Sequence, residues 1–397
     1  MPVDVYLLVS VIFLINPLLG ILLGASCCWD YKQNKYGIYL LIWMLAIYMA
    51  FINTTKIPIS DMLEYQKVFF QAKECGIVDY IQQNGKEPIF YALTYICYYL
   101  FGGNWNLYVM FLTLLYYLII NYSIVLFGKK CSCSSLSIVI ALIVGAFFFQ
   151  IFIMTGHLIR QCLAEAFFIY FLIRKFVIKR TSWWVAILAL GMHSSVLPLI
   201  GISLLPQIKR SLTIKEFLKG VLLLVVLALV FFLLESVLSS VFFLAYLYSR
   251  VGSENLLGKD VWQTESGVGG LGILLGFVVV FMIFSIKRKM RLHDNGNIVN
   301  PLINNCLCLI FVLCILSICE ADYLLLRYFF YLYSYFSLLL VIFLDQHKSQ
   351  MWKFMKISLV PLFIVYFMYS IDSGVFCFEL SWRELLGLPL IFYPLFL

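Results

Sequence analysis

Charged residues are scarce in this chain. Asp, Glu, Lys and Arg make up 12% of 397 residues, 63% are hydrophobic, and the mean hydropathy is +0.99. A water-soluble fold cannot hide that much apolar surface, which excludes the soluble globular class. The period-two alternation of an outer-membrane barrel is missing as well. The apolar runs are continuous, and several reach about 20 residues, the length that crosses a bilayer as an α-helix. No C-x-x-C occurs and no His lies near the close Cys pairs, so no zinc-ligand pattern is present. Cys97, Cys162, Cys306, Cys308, Cys314 and Cys319 sit inside apolar runs and read as small hydrophobes. Lys and Arg are absent from "MPVD", and a second apolar run follows the first at once. Residues 5–24 are therefore expected to be a retained helix and not a cleaved signal peptide.

The net charge is +8, but the basic residues are split among short connections between apolar runs, the distribution of the positive-inside rule. No nucleic-acid partner is expected. Two glycine patterns are set aside. "GVGGLG" at 267–272 fits G-x-G-x-x-G but has no βαβ context, and "GSENLLGKD" is one residue too long for a phosphate loop and lacks its Ser or Thr. Both read as loop glycines.

The fold class expected is all-α: a single polytopic membrane domain over 1–397, with about 10–12 transmembrane helices plus re-entrant or partial helices. Full-length apolar runs lie near 5–28, 36–54, 105–127, 135–155, 157–178, 216–248, 269–286, 301–319, 323–344 and 354–371. Basic connections at 128–130, 174–180, 207–220, 287–293 and 345–356 are expected on the cytoplasmic side. Only one run, 182–205, separates two of these, and a single crossing would place one of them outside. "GMHSSVLP" interrupts that run, so two short helices entering and leaving on one side restore the parity. Such breaks at membrane depth need burial in protein or a watery cavity. The run 88–101 is also too short to span. The polar loops 53–87 and 249–268 then face the extracytoplasmic side.

The unusual polar residues collect on that side. In "TGHLIRQCLAEAFFIYFLIRK", His157, Gln161 and Glu165 are expected on one stripe of a helix, with Arg160 beside it. Arg160 stands about one turn, at 1.5 Å per residue, from the outer surface. A snorkelling Arg would explain it alone; four polar side chains on one flank suit a cavity better. Arg327 has the same placement in "CEADYLLLRYFFYLYSYF", with Tyr323 and Tyr331 on its face. An aromatic belt with one snorkelling Arg is one reading, and an anion clamp flanked by sugar-stacking rings is the other, since Arg grips phosphate through a planar fork. His193 lies at the helix break, where it is either structural or a base. Glu235 reads as a partner for a buried Arg. Asp61, Glu64 and Tyr65 form an outward cluster at i, i+3, i+4. Two Arg, a His, carboxylates and rings suit a polyprenyl diphosphate bearing a sugar.

The ordered set "SDMLEYQKVF" (Asp61, Tyr65), "EPIFYALTYI" (Glu87, Pro88, Phe90), "LIRQCLAEAFF" (Arg160, Gln161, Ala164) and "MHSSVLPLI" (His193, Ser194) resembles the EpsG family, related to the Wzy polymerases of bacterial surface polysaccharides. "RYFFYLYSY" with Arg327 is similar to a further family feature. The motifs run from about 60 to 335.

The resemblance implies a membrane glycosyltransferase that needs no metal, cofactor or nucleotide sugar. It would join undecaprenyl-diphosphate-linked oligosaccharide repeat units into O-antigen, capsule or exopolysaccharide on the outer face of the bacterial plasma (inner) membrane. Donor and acceptor are both lipid-linked; membrane lipids, a chain-length regulator and a flippase are the expected partners. By analogy, Arg160 and Arg327 neutralise diphosphates, and His193 or Asp61 activates the acceptor hydroxyl. His157, Gln161, Tyr65, Glu87, Glu165, Tyr323 and Tyr331 would line the substrate site. Two competing classes are a flippase for the same lipids, which predicts inverted repeats, and a polytopic sugar O-acetyltransferase, which places its His near the inner side. His293 and His347 lie in ordinary basic loops.

Overall fold

A computed structural model describes residues 3–28, 36–85, 87–210, 267–290, 296–318, 322–347, 349–372 and 378–390, together with Glu216, Lys219, Leu222, Val226 and Phe392. The described residues are helical and contain no strand, which bears out the all-α membrane class. Glu235, the run 216–248 apart from four residues, and nearly all of the loop 249–268 lie outside the described residues.

The first apolar run is two helices, α1 (Val3–Ile15) and α2 (Pro17–Cys27), not one span. Asn16 accepts the Leu19 N–H at 3.0 Å and Pro17 takes the first helical position, where its missing N–H costs nothing. Next comes α3 (Gly37–Thr54). The polar segment holds α4 (Asp61–Gln71) and α5 (Ile77–Asn84), and α6 (Pro88–Leu100) follows. At 1.5 Å per residue α6 is about 20 Å long, too short for a hydrocarbon core of about 30 Å. Asn104 caps α7 (Trp105–Lys130), which closes on Lys129 and Lys130, cations placed to suit the helix dipole. Helices α3 and α7 run antiparallel. Asn53 donates to Thr113 Oγ1 at 2.6 Å near one end, and Lys129 donates to Tyr39 OH at 3.3 Å near the other.

The run 135–155 is also broken, into α8 (Ser135–Ala146) and α9 (Phe149–His157), bent by 49°. The bend carries Phe147, Phe148 and Phe149, whose rings meet Phe363 and Phe367 edge-on. A second break at Leu158 precedes α10 (Ile159–Leu172), which ends in a π-helical turn, Ile173–Val177. The single stripe expected for His157, Gln161 and Glu165 therefore does not exist. His157 closes α9, whereas Gln161 and Glu165 lie a turn apart on α10.

The run 182–205 is interrupted where its sequence suggests, between α11 (Trp183–Met192) and α12 (Leu197–Leu204). His193 is extended and a 3-10 turn, Ser194–Val196, follows it. Among the described residues four long helices come later: α13 (Gly267–Met290), α14 (Gly296–Ile318), α15 (Asp322–Asp345) and α16 (Gln350–Asp372). The short α17 (Trp382–Gly387) opens on a Ser381–Glu384 capping box. Residues 267–272, read above as loop glycines, begin α13. Among the described residues five helices are long and apolar enough to cross a membrane, or six if the bent α8–α9 pair counts as one span.

The chain divides into two units, 1–200 with 337–397, and 201–336. In the first, the segment after α3 is pinned by a buried lysine. Lys56 donates to the carbonyls of Phe152 at 3.0 Å and Ile153 at 3.3 Å, lies 4.1 Å from the Phe152 ring centroid, and its backbone bridges Phe378. In the second, buried Asn304 donates to the Ile208 carbonyl at 2.8 Å, and Asn305 accepts from Tyr335.

Candidate functional site

Four separate segments of the first unit meet at Arg160. Glu87 precedes Pro88, and a residue before proline is driven out of the helical region. Here φ is −123° and ψ 74°, so α6 starts one residue later and Glu87 sits at its cap. Tyr91 stands one turn along α6. Arg160 is the second residue of α10, set there by the break at Leu158 (φ −124°, ψ 47°). His193 lies at the break after α11, and Tyr65 is carried by α4.

The hydrogen bonds link these groups in a chain. Arg160 Nη1 lies 2.6 Å from Glu87 Oε2 and donates to Tyr91 OH at 2.9 Å; Nε faces Tyr65 OH at 3.3 Å. The guanidinium carbon is 5.3 Å from the Tyr65 ring centroid and 6.0 Å from that of Tyr91, within cation–π range. The other carboxylate oxygen, Glu87 Oε1, lies 3.2 Å from His193 Nδ1. The Ser195 N–H faces the same Nδ1 at 3.3 Å. Nδ1 thus has two settings: protonated, it donates to Glu87; unprotonated, it accepts from Ser195. In the first setting the opposite ring nitrogen, Nε2, is left as a base.

The side chain of Glu87 is 7% exposed and that of Arg160 25%. A carboxylate withdrawn that far from water needs its cation. The Arg160 fork is already partly taken: Nη1 and Nε are engaged, and only Nη2 makes no hydrogen bond among the described residues. An incoming anion therefore meets one free nitrogen first and gains a second only by displacing Glu87 or a tyrosine.

A close approach between helices makes the Glu87–His193 contact possible. Gly191, two residues before His193, lies against Ile89, two residues after Glu87, and an added Cβ would overlap the Ile89 side chain. Gly191→Ala is expected to cost about 1–3 kcal/mol, the usual penalty for overpacking. Thermal unfolding in detergent measures it, and an unchanged midpoint would show that Ile89 simply yields.

Of the residues singled out in the sequence, Tyr65, Glu87, Arg160 and His193 come together. Asp61 opens α4 one turn before Tyr65 and is not among the partners of Arg160. Gln161 and Glu165 turn into the bundle, each 1% exposed. His157 is buried too, with a hydrogen bond to the Ile59 backbone. Arg327 and Tyr331 belong to the second unit, partly exposed and buried respectively; Tyr323 lies in α15, and its side chain is outside the described residues. Tyr91 was missed. Its signal was the i+4 spacing from Glu87, obscured by the 26 tyrosines of the chain.

Fold and site together define a multi-pass α-helical membrane protein with a buried cation–carboxylate–imidazole centre. Residues 7–382 match the EpsG family, and the chain belongs to that family, which is related to Wzy-like polymerases and suggests a polysaccharide-polymerase type of function. No curated protein and no solved structure matches the chain.

Proposed function

We propose that this protein polymerises undecaprenyl-diphosphate-linked oligosaccharide repeat units into surface polysaccharide on the outer face of the plasma (inner) membrane. The observation that carries the reading is the Arg160–Glu87–His193 chain, which sets a cation and an oriented imidazole on the two oxygens of one carboxylate.

The sequence of events follows from those groups. The donor diphosphate approaches Nη2 of Arg160. Glu87 holds the Nδ1 hydrogen of His193, so Nε2 removes the proton of the acceptor hydroxyl. The acceptor oxygen bonds to the anomeric carbon as that carbon's bond to the phosphate oxygen breaks. The electron pair leaves with the diphosphate, where Arg160 stabilises the growing negative charge. In this scheme a fixed guanidinium serves the leaving group and the donor is lipid-linked, so neither a metal ion nor a nucleotide sugar is required. Asp61, one turn from Tyr65, is the alternative base. Arg327, with Tyr323 and Tyr331, is proposed to hold the second diphosphate. His157, Gln161 and Glu165 are proposed to line the site's inner wall. A chain-length regulator and a flippase are proposed partners.

Deleting the gene and separating the surface polysaccharide by electrophoresis tests the reaction. Loss of a polymerase leaves single repeat units on the surface. Loss of a flippase leaves none, and that outcome would overturn the proposal.

A further inference from the structure

Helix α6 shows three faces, and two of them have clear occupants. At about 100° per residue, Phe90, Thr94 and Cys97 share one face. All three are buried, and Thr94 meets Tyr108 of α7 at 2.8 Å. Ile96 and Leu100 lie on another, 54% and 68% exposed, apolar and suited to lipid tails. The third face carries Tyr91, Tyr95 and Tyr99 at i, i+4 and i+8. Tyr91 is 7% exposed and bonded to Arg160, whereas Tyr99 is 57% exposed. Tyr80 of α5 joins these rings into one row. Tyr95 lies 4.9 Å from Tyr99 and 5.6 Å from Tyr80 between centroids, and Tyr80 lies 6.3 Å from Tyr91.

The row is buried at Tyr80 and Tyr91 and grows more exposed through Tyr95 to Tyr99. Tyr80 of α5 is buried and donates to the Val68 carbonyl at 2.9 Å; burial pushes its phenol up, which keeps the proton on that bond. Tyr99 donates to the Ala72 carbonyl at 3.3 Å, tying the far end of the row to the polar segment. The adjoining α5 exposes Asp79, Gln82 and Gln83, groups that belong in water. The course of the chain gives the direction of the row. Its inner end is at Arg160. Its outer end adjoins the connection into α7, a helix long enough to span, whose opposite end carries Lys129 and Lys130. With those lysines cytoplasmic, the row climbs from the charged centre to the outer surface.

We propose that the Tyr91–Tyr95–Tyr99 face of α6 is a saccharide-binding track that holds the glycan next to the reacting centre and leads it outward. This rests on the glycan-transfer reading of the Arg160 centre. The C–H faces of sugar rings stack on aromatic rings, and phenol hydroxyls bond the sugar hydroxyls at the edges. A purely interfacial belt would face lipid; here the lipid-facing role falls to Ile96 and Leu100. The row also begins on a residue that touches Arg160, so a chain bound along it has one end at the chemistry.

A track changes how many units are joined and not whether the first bond forms. The test compares Tyr95→Ala, the double variant Tyr95→Ala/Tyr99→Ala and the matching Phe variants, with polysaccharide length read per amount of membrane protein. The double Ala variant is expected to shorten the mean chain severalfold while dimers of the repeat unit still form. The Phe variants should recover most of the length, because the rings remain. The ring contacts of Tyr95 are with Tyr80 and Tyr99, so its single Ala variant tests the track if the double fails to accumulate. A direct measurement titrates the purified protein with oligosaccharide released from the host's own polysaccharide, where Ala variants should bind at least several times more weakly. Wild-type length or wild-type binding in the Ala variants overturns the track, as does equal shortening in the Phe variants. Arg160→Ala separates the two ideas. If it alone leaves single units, the centre stands and only the track has failed; if it leaves long chains, the centre itself has failed.

Discussion

Arg160→Ala is expected to abolish polymer while the protein still inserts. Only single repeat units should remain on the surface, a loss of more than about a hundredfold for a preorganised cation facing a developing anion. The variant removes the guanidinium that Glu87, Tyr65 and Tyr91 hold in place. Arg160→Lys should recover only part of the activity. An ammonium on Glu87 can satisfy the carboxylate, but it has no planar counterpart of Nη2 to offer an anion while Nη1 and Nε stay engaged. A snorkelling Arg behaves otherwise, with Lys substituting fully. The measurement is ladder length normalised to membrane protein. Long chains in Arg160→Ala would remove Arg160 from the mechanism.

Glu87 carries the second large effect, because it is shared. Glu87→Ala leaves a partly buried guanidinium without its counter-ion, a change that costs about 3–5 kcal/mol in comparable pairs. Glu87→Gln is milder sterically, yet it removes the charge and weakens the hold on the His193 Nδ1 hydrogen. Both should lose polymer, and Glu87→Ala should also lower protein abundance. The double variant Glu87→Gln/Arg160→Gln restores electrical neutrality and is expected to recover stability in thermal unfolding without recovering polymer. If polymer returned as well, the pair would be a brace and nothing more.

The membrane class was legible because continuous apolar runs have no soluble alternative. The interruption at His193 was legible too, since Gly191 and Pro198 flank it. The breaks at 147–148 and at Leu158 were not. "GAFFFQ" and "GHLIRQ" are nearly as apolar or as helix-compatible as their surroundings, and no proline marks the point. The bend at Phe147 is set by rings from α16, more than 200 positions away, and such packing leaves no local periodicity to read. Asn16–Pro17 carried a plain start signal, but the unbroken hydrophobicity of 5–28 outweighed it.

For the site, Tyr65, Glu87, Arg160 and His193 could each be picked out by residue type. Their convergence could not, because Arg160 is 95 positions from Tyr65 and 73 from Glu87. The sequence suggested only that Arg160 neutralises a diphosphate. The structure shows two of its three nitrogens already occupied, which adds a reason for Arg160→Lys to recover only part of the activity.

The lysine that pins the segment after α3 constrains the two sides of its contact unequally. Its acceptors are main-chain oxygens, which every residue possesses. Position 153 can therefore drift through any apolar side chain without loosening the tie, whereas position 56 must keep a long amine. The restriction reappears at Gly156, where a methyl would come within 3.1 Å of the Lys56 nitrogen. One hydrogen-bonding side chain and one missing side chain thus hold the helix that ends three residues before Arg160.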